Sequence, residues 1–296
     1  MHYVGRFAPS PTGPLHFGSL VAAVASYLEA KVNQGQWLVR MEDLDKPREV
    51  AGAANNILHT LEAFGFEWDN SLMVQSQRDD AYAAALSRLK EKQLIYPCTC
   101  SRKEITDTST QIGIEGAIYP QTCLKQSIKG DSPIAWRIKT ENKQISFHDA
   151  IQGNISQNLI QDTGDFILRR ADGLFAYQLA VVVDDAEQGV THVVRGSDLL
   201  HSTPRQMYLQ SLLGDETPSY AHVPVATNAD GQKLSKQTMA LGLKPKESVA
   251  QLWEALCFLN QNPPETLKND NLSECWHWAM SNWNVTNIPN VKGIQV

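Results

Sequence analysis

The sequence predicts an α/β fold built on parallel strands, because three short apolar segments each end at polar residues. Residues 3–7 form one such segment and end near Arg6, and residues 37–41 form a second that runs into Glu42. Residues 193–196 repeat the first pattern, with an arginine and a glycine at the strand end. The carboxyl ends of parallel strands line the ligand crevice of such a sheet, so we expect these end residues to meet there.

The stretch 5–20 (GRFAPSPTGPLHFGSL) predicts a strand end, a turn and the start of a helix. Its three prolines and its glycines interrupt both strand and helix, and from Leu20 the pattern is helical and apolar. A helix that begins after such a turn presents N–H groups and a positive end to an anion, usually a phosphate. His16 and Ser19 lie at that helix start and could donate to phosphate oxygens. Alternatively, His16 only caps the helix and the prolines only shape the turn.

Composition indicates an ordinary globular protein, with 42% apolar and 20% charged residues. No run of 18 apolar residues and no secretory leader is present, so we expect a cytoplasmic protein. The net charge of −6 disfavours general coating of nucleic acid but leaves room for one local basic face. The five cysteines, an odd number, argue against a disulfide framework.

Three of these cysteines are clustered and suggest a metal site. Cys98, Cys100 and Cys123 supply three thiolates, and Zn²⁺ prefers four ligands, mostly sulfur or nitrogen. Tyr119 and His148 are both available as the fourth ligand. No general base lies nearby in sequence, so a bound zinc would stabilise a loop-rich insertion rather than catalyse. The alternative is three free or buried cysteines.

The remaining segments have simpler predictions. Helices are predicted from Pro47, after a capping Asp45, to Gly65, and over about 76–93 and 205–213. Residues 134–148 are predicted to form a hairpin, residues 166–170 a strand followed by a turn at Asp172-Gly173, and residues 180–183 a buried parallel strand. The tail is predicted to form a few packed helices.

Two further groups of residues suggest binding chemistry. Arg6 and Arg195, together with Glu42 and Tyr177, could form a pocket for a dicarboxylic amino acid, because arginine binds carboxylates bidentately. The alternative is ordinary surface ion pairs. Residues 233–236 (KLSK) place two lysines on a short loop, where they could follow phosphate oxygens or simply be solvated.

HFGS after SPTGPL, and KLSK far downstream, resemble the paired HIGH-like and KMSKS-like motifs of the class I aminoacyl-tRNA synthetases. RFAPSPTG, RMEDLD, the CxC segment, FAYQLAVVVDDAEQGVTHVVRGSDLL and KLSK follow the order of the glutamyl branch. Ser19 departs from the pattern where a second histidine is expected, and Gln237 where a serine is expected. The tail is too short for the anticodon-binding domains of a full glutamyl enzyme. The chain therefore resembles the truncated glutamyl paralogues, which attach glutamate to the queuosine base in the anticodon loop of tRNA(Asp).

This resemblance implies a Rossmann-type catalytic fold in two halves (1–97 and 165–240), a zinc-binding α+β insertion (98–164) and a short helical C-terminal region (241–296). It implies ATP with Mg²⁺ as substrate, one structural Zn²⁺ and a monomer. The implied glutamate-binding residues are Arg6, Phe7, Ala8, Pro9, Ser10, Glu42 (on the ammonium), Tyr177 and Arg195. The implied ATP-binding residues are His16, Gly18, Ser19, Lys233, Ser235 and Lys236, with His16 and Lys236 catalytic. The implied zinc ligands are Cys98, Cys100, Tyr119 and Cys123.

Three other functions stay open on sequence alone. The chain could charge the acceptor end of tRNA as an ordinary glutamyl enzyme does. It could be a non-catalytic paralogue that binds glutamate or tRNA, since Ser19 and Gln237 depart from the motifs. It could also be a nucleotidyltransferase that acts on a small acid and needs no tRNA.

Overall fold

The computed structural model describes residues 2–125, 133–234 and 241–296. The strands in these ranges are β1 (Val4–Phe7), β2 (Gln36–Met41), β3 (Met73–Val74), β4 (Ile95–Cys98), β5 (Ile112–Gly113), β6 (Gly116–Ala117), β7 (Ala135–Ile138), β8 (Gln144–Asp149), β9 (Gly153–Asn158), β10 (Ile167–Arg169), β11 (His192–Gly196), β12 (Ser219–Val223), β13 (Val225–Thr227) and β14 (Gly293–Gln295).

The α-helices in the same ranges are α1 (Phe17–Val32), α2 (Ala53–Ala63), α3 (Asp79–Glu91), α4 (Arg102–Thr108), α5 (Thr122–Lys125), α6 (Leu159–Asp162), α7 (Tyr177–Glu187), α8 (Thr203–Leu213), α9 (Ser248–Phe258) and α10 (Leu272–Asn282). Short 3₁₀ helices cover Lys46–Arg48, Gln75–Gln77, Ser197–Ser202, Pro245–Glu247, Glu265–Asn269 and Val285–Asn287. None of the helices within the described ranges is long and apolar enough to cross a bilayer.

Two sheets meet at the centre of the molecule. The first has the order β1-β2-β3 and is parallel throughout; the second has the order β11-β12-β8-β9 and is parallel except for the β8–β9 pair. The Thr191 N–H donates to the Val4 carbonyl at 3.0 Å and joins the β11 side of one sheet to the β1 side of the other. The expected mixed α/β class is therefore confirmed, and the strand ends of both sheets face a common crevice.

Helix α1 is the centre of the core. It packs against β1, β11 and α9, and nine of its sixteen residues are buried. The Trp276 indole on α10 donates to the Phe64 carbonyl at 2.8 Å, which fixes the tail on this core. The expected packed helices of the tail are present, and the sequence missed a strand after them, β14, which pairs with β13.

Two predicted strand arrangements are wrong. Residues 180–183 lie in helix α7, not in a parallel strand. A short apolar run without polar breaks is compatible with either a buried helix or a buried strand, so periodicity could not separate them. Residues 134–148 do contain β7 and β8, but β7 pairs with β4 and β10, whereas β8 pairs with β9 and β12. Alternation identified the strands but not their partners.

The helix start at Pro47 is also wrong. Pro47 lies in a 3₁₀ helix, and α2 begins only after Gly52, whose φ of 77° requires glycine-like freedom. Asp45 precedes the 3₁₀ helix, but its carboxylate accepts from Arg48 Nε at 2.5 Å instead of capping the backbone.

Other local predictions are confirmed. Gly65 ends α2 with a φ of 75°, and the turn at Asp172-Gly173 joins Arg169 to Phe175 in an antiparallel bridge. The helices expected near 76–93 and 205–213 are α3 and α8. The segment boundaries after residues 97, 164 and 240 stay predictions.

Candidate active site and cysteine cluster

A cleft of about 740 Å³ opens where β1, β2 and β11 end. Its lining includes all the described candidates for glutamate and ATP: Arg6, Phe7, Ala8, Pro9, Ser10, His16, Gly18, Ser19, Glu42, Tyr177, Arg195 and Lys233. Ser235 and Lys236, the other two candidates, lie outside the described residues, as does Gln237. The structure thus brings together residues that are up to 227 positions apart. Arg6, Glu42 and Arg195 meet because they lie at or next to the ends of parallel strands.

One end of the cleft is the start of α1. His16 is the N-cap residue of this helix, and its Nδ1 accepts from the Ser19 N–H at 3.4 Å. A Cβ on Gly18 would lie 3.2 Å from the imidazole, so a glycine there keeps the ring in place. On the facing loop, Lys233 Nζ lies 2.6 Å from Asp198 Oδ2. The N-terminus of α1 makes this end of the cleft suited to an anion, whereas the charge of Lys233 is already paired with Asp198.

A buried ion network supports the other end. Arg6 donates through Nε and Nη2 to the two carboxylate oxygens of Asp185, at 3.1 and 3.2 Å. Arg40 donates to Asp185 at 2.7 Å and to Glu42 at 3.2 Å. Burial raises the pKa of Asp185, but the two arginines outweigh it and hold that pKa below its usual value. For Glu42, burial prevails over Arg40 and Arg6 and raises the pKa.

Arg195 has a different environment from Arg6. It is only 4% exposed, and its acceptors within the described residues are all neutral. Nε donates to His222 at 3.0 Å, Nη2 donates to Thr203 Oγ1 at 2.9 Å, and Nη1 donates to the Tyr177 hydroxyl at 3.4 Å. Burial raises the pKa of Tyr177, which keeps this hydroxyl neutral. A buried cation with only neutral partners is costly, so this position favours an anion from outside the chain.

Sequence reasoning missed several residues of this site. Asp184 and Asp185 follow the apolar run that was predicted to be a strand, and as part of helix α7 they reach Arg40 and Arg6. Arg40 lies inside a strand, where nothing in the sequence marks it as an ion-pair partner. His222 is buried beside Arg195 and contacts the buried Asp149, and the separation of 73 residues between the two leaves no local pattern to find.

The second site is the cysteine cluster. The Sγ atoms of Cys98, Cys100 and Cys123 all lie within 4.8 Å of one another, so they could hold a metal ion. The Tyr119 hydroxyl lies 3.4 Å from the Cys98 sulfur and 3.6 Å from the Cys100 sulfur. Burial raises the pKa of Cys100 to about 11. For Cys123, hydrogen bonds with Tyr119, Thr99 and Cys100 together outweigh the effect of burial, and the pKa falls to about 6. His148 lies elsewhere, on β8, where its Nδ1 contacts Asn154.

A buried arginine adjoins this cluster. Arg137, 6% exposed, donates through Nε to the Cys98 sulfur at 3.2 Å and through Nη1 to the Asp165 carbonyl at 3.0 Å. Its guanidinium carbon also lies 4.1 Å from the centre of the Tyr119 ring. Within the described chain no carboxylate pairs with it. A metal-bound thiolate at Cys98 would supply the missing negative charge, so the surroundings fit a thiolate metal site.

The strand-end cleft and the α/β fold define the class of protein. Residues 3–254 match the family described as "tRNA synthetases class I (E and Q), catalytic domain", and the chain belongs to that family. It is therefore a ligase of the aminoacyl-tRNA synthetase type, and the resemblance to the glutamyl branch is confirmed.

Individual relatives narrow this class. The chain is 56% identical over 288 residues to the glutamyl-Q tRNA(Asp) synthetase of Dechloromonas aromatica (97% of this chain, 96% of the relative). It is 55% identical over 287 residues to the protein of the same name from Thiobacillus denitrificans (97% and 95%). The crystal structure of glutamate-tRNA synthetase from Elizabethkingia anophelis has the same fold, with a TM-score of 0.79 at 23% identity; the match covers 100% of this chain and 68% of that one.

Proposed function

We propose that the protein activates glutamate with ATP and transfers it to the queuosine base of tRNA(Asp). The observation that carries the first step is Arg195, a buried cation with neutral partners that lines the same cleft as the N-terminus of α1. One end of the cleft thus favours a carboxylate and the other a phosphate. The choice of tRNA(Asp) and queuosine rests on what the 51–56% identical relatives are named for.

Glutamate would bind at the end that holds Arg195. Its carboxylate would form an ion pair with the Arg195 guanidinium beside the Tyr177 hydroxyl, and its ammonium would pair with Glu42. Arg6 is already paired with Asp185 through two of its nitrogens, so we assign it a weaker share of the carboxylate charge than Arg195. The segment Phe7–Ser10 would close the pocket from the turn.

ATP would bind with its phosphates at the start of α1. The glutamate carboxylate is already an anion, so it can attack the α-phosphate in line without a general base. The barrier is the repulsion of like charges, and negative charge also develops on the leaving pyrophosphate. His16, the N-terminus of α1, Lys233, Lys236 and the Mg²⁺ that accompanies ATP would stabilise that charge. In the second step a hydroxyl of the modified base attacks the mixed anhydride and AMP leaves.

We further propose that Cys98, Cys100, Cys123 and Tyr119 hold one structural zinc ion. The tyrosine hydroxyl lies among the sulfur atoms, whereas the alternative ligand, His148, contacts Asn154 on another sheet. Tyrosine is an unusual zinc ligand, so the three cysteines carry this proposal. We also propose that the protein is a monomer and acts in the cytoplasm.

The test is to incubate the protein with labelled glutamate, ATP and tRNA that carries or lacks queuosine. We expect label on the queuosine-containing tRNA only, in a form that survives removal of the 3′-terminal ribose. Label on that ribose would instead indicate acceptor-end charging. Glutamate binding without release of AMP would indicate a non-catalytic paralogue, and activity without any tRNA would indicate a different nucleotidyltransferase.

A paired substitution tests the ATP end of the cleft. His16→Ala should reduce glutamate-dependent exchange of pyrophosphate into ATP far more than Ser19→Ala does, because the Ser19 backbone N–H, not its side chain, contacts His16. The opposite ranking would contradict the role of His16.

A further inference from the structure

We propose that Asp149 and His222 form a buried positioning pair that orients Arg195 toward the substrate carboxylate without neutralising it. This inference rests on the proposed function, in which Arg195 binds glutamate. Neither residue lies in a motif that the family resemblance supplied, and neither lines the cleft. Both are completely buried.

The hydrogen-bond chemistry fixes the state of the histidine. A guanidinium has donors only, so the Arg195 Nε–H, 3.0 Å from His222 Nε2, requires that this nitrogen be an acceptor. The proton of the neutral ring must then sit on Nδ1, which lies 2.6 Å from Asp149 Oδ2 and donates to it. The hydrogen bonds therefore run from Arg195 to His222 and from His222 to Asp149. The carboxylate selects the tautomer, and this tautomer presents the Nε2 lone pair to Arg195.

The carboxylate is itself held by the fold. Asp149 Oδ1 accepts from the backbone N–H groups of His222, Ile151 and Gln152, at 3.0, 3.1 and 2.8 Å. His222 is the register partner of Arg195 across the β11–β12 pair, so the imidazole lies directly beside the guanidinium. On the same edge of the guanidinium, Arg195 Nη2 donates to Thr203 Oγ1, which lies 3.3 Å from His222 Nε2. His222 on β12 and Thr203 on α8 thus hold one edge of the guanidinium, and the Tyr177 hydroxyl and the Leu199 carbonyl accept from it at 3.4 Å.

The His222 imidazole keeps the Asp149 carboxylate out of direct contact with Arg195. At Arg6 a carboxylate contacts the guanidinium directly and satisfies much of its charge. At Arg195 the carboxylate stands one ring further away, so its field stabilises the cation while the guanidinium keeps its attraction for a second carboxylate. A direct aspartate in place of His222 would compete with glutamate for the same nitrogens.

The first test uses kinetics of glutamate-dependent pyrophosphate exchange. His222→Leu should raise the KM for glutamate roughly 10- to 100-fold, the loss expected for a hydrogen bond to a charged group, while the KM for ATP changes little. His222→Gln should recover part of this loss, since its amide oxygen can accept from Arg195. A folded His222→Leu protein with unchanged KM for glutamate would overturn the inference. Equal rises in both KM values would do the same, because they indicate a merely structural role.

The second test needs no substrate. Nitrogen-15 NMR of the histidine rings should show His222 neutral near pH 7, protonated on Nδ1 and not on Nε2. Asp149→Asn should admit the other tautomer, which turns a donor toward Arg195 and also raises the KM for glutamate. An imidazolium or an Nε2–H ring in the wild type would overturn the inference. If the NMR result holds but wild-type protein shows no glutamate-dependent exchange, the proposed function fails and the arrangement of the pair stands.

Discussion

Arg195 and Arg137 are both buried guanidiniums for which the described residues provide no carboxylate partner, yet their surroundings differ. Arg195 opens on the cleft and donates to a histidine, a threonine and a tyrosine, all neutral. Arg137 is enclosed beside the cysteine cluster and donates to a sulfur that can itself become an anion. Under the proposed function, the missing negative charge at Arg195 would come with the substrate, whereas at Arg137 it would belong to the chain and be generated on metal binding.

A buried arginine can thus serve ligand binding or structure, depending on whether a ligand or another group of the chain contacts its guanidinium. A cation that faces a cleft with its charge uncompensated selects an anionic ligand. A cation that faces a thiol favours the thiolate and therefore the bound metal. The two roles should separate cleanly under mutation, and each variant serves as the matched control for the other.

The largest effect is expected for Arg195→Met. Removing the cation should lower kcat/KM for glutamate in pyrophosphate exchange on the order of 10²–10³-fold, because a buried charge pair with the substrate is lost. Bound metal, measured by its release with a thiol reagent, should stay unchanged. Activity within a few-fold of wild type would contradict the assignment of Arg195 as the carboxylate receptor.

The second prediction concerns pH and the neutral ring beside Arg195. Burial, together with the charge of Arg195, lowers the pKa of His222 to about 4. The carboxylates of Asp149 and Asp198 act in the opposite direction but do not outweigh burial. The unfolded chain takes up this proton near the usual pKa of 6.5 and the folded protein only near 4, so folding stability is full above pH 6.5 and falls as the pH drops toward 4.

The expected loss from this group is roughly 3 kcal/mol of unfolding free energy across that window, which urea denaturation can measure. His222→Gln cannot take up the proton, so its stability should fall less over the same range while the other acid-sensitive groups act equally in both proteins. Parallel curves for the two proteins would contradict a neutral buried His222.

The smallest of these effects is expected for Arg137→Met. Loss of the guanidinium beside Cys98 should weaken zinc binding by about 10- to 100-fold, as for other groups that hydrogen-bond to a metal ligand. Glutamate-dependent exchange should stay near wild type. Arg102→Met, an exposed arginine in the same segment, is the control and should leave zinc affinity unchanged. If Arg137→Met binds zinc as tightly as the wild type, the charge of Arg137 does not stabilise the metal site.

Local pattern was enough to predict the strand ends and the polar residues placed on them. Arg6, Glu42 and Arg195 could be placed at one edge because parallel strands share their carboxyl ends, and three cysteines close in sequence could be expected to converge. The groups that hold these residues could not be found in the same way. Asp185 was hidden because an apolar run before it fits a helix as well as a strand, and His222 reaches Arg195 only through the register of β11 and β12.

Helix α7 makes the site sensitive to insertions and deletions. Tyr177 at its first turn lies beside Arg195, and Asp185 at its far end holds Arg6 and Arg40. Adding or deleting one residue between them would rotate one end by about 100° relative to the other and detach one of the two contacts. Among homologous sequences, the spacing between the tyrosine and the aspartate should therefore be invariant in length even where the apolar residues between them are exchanged.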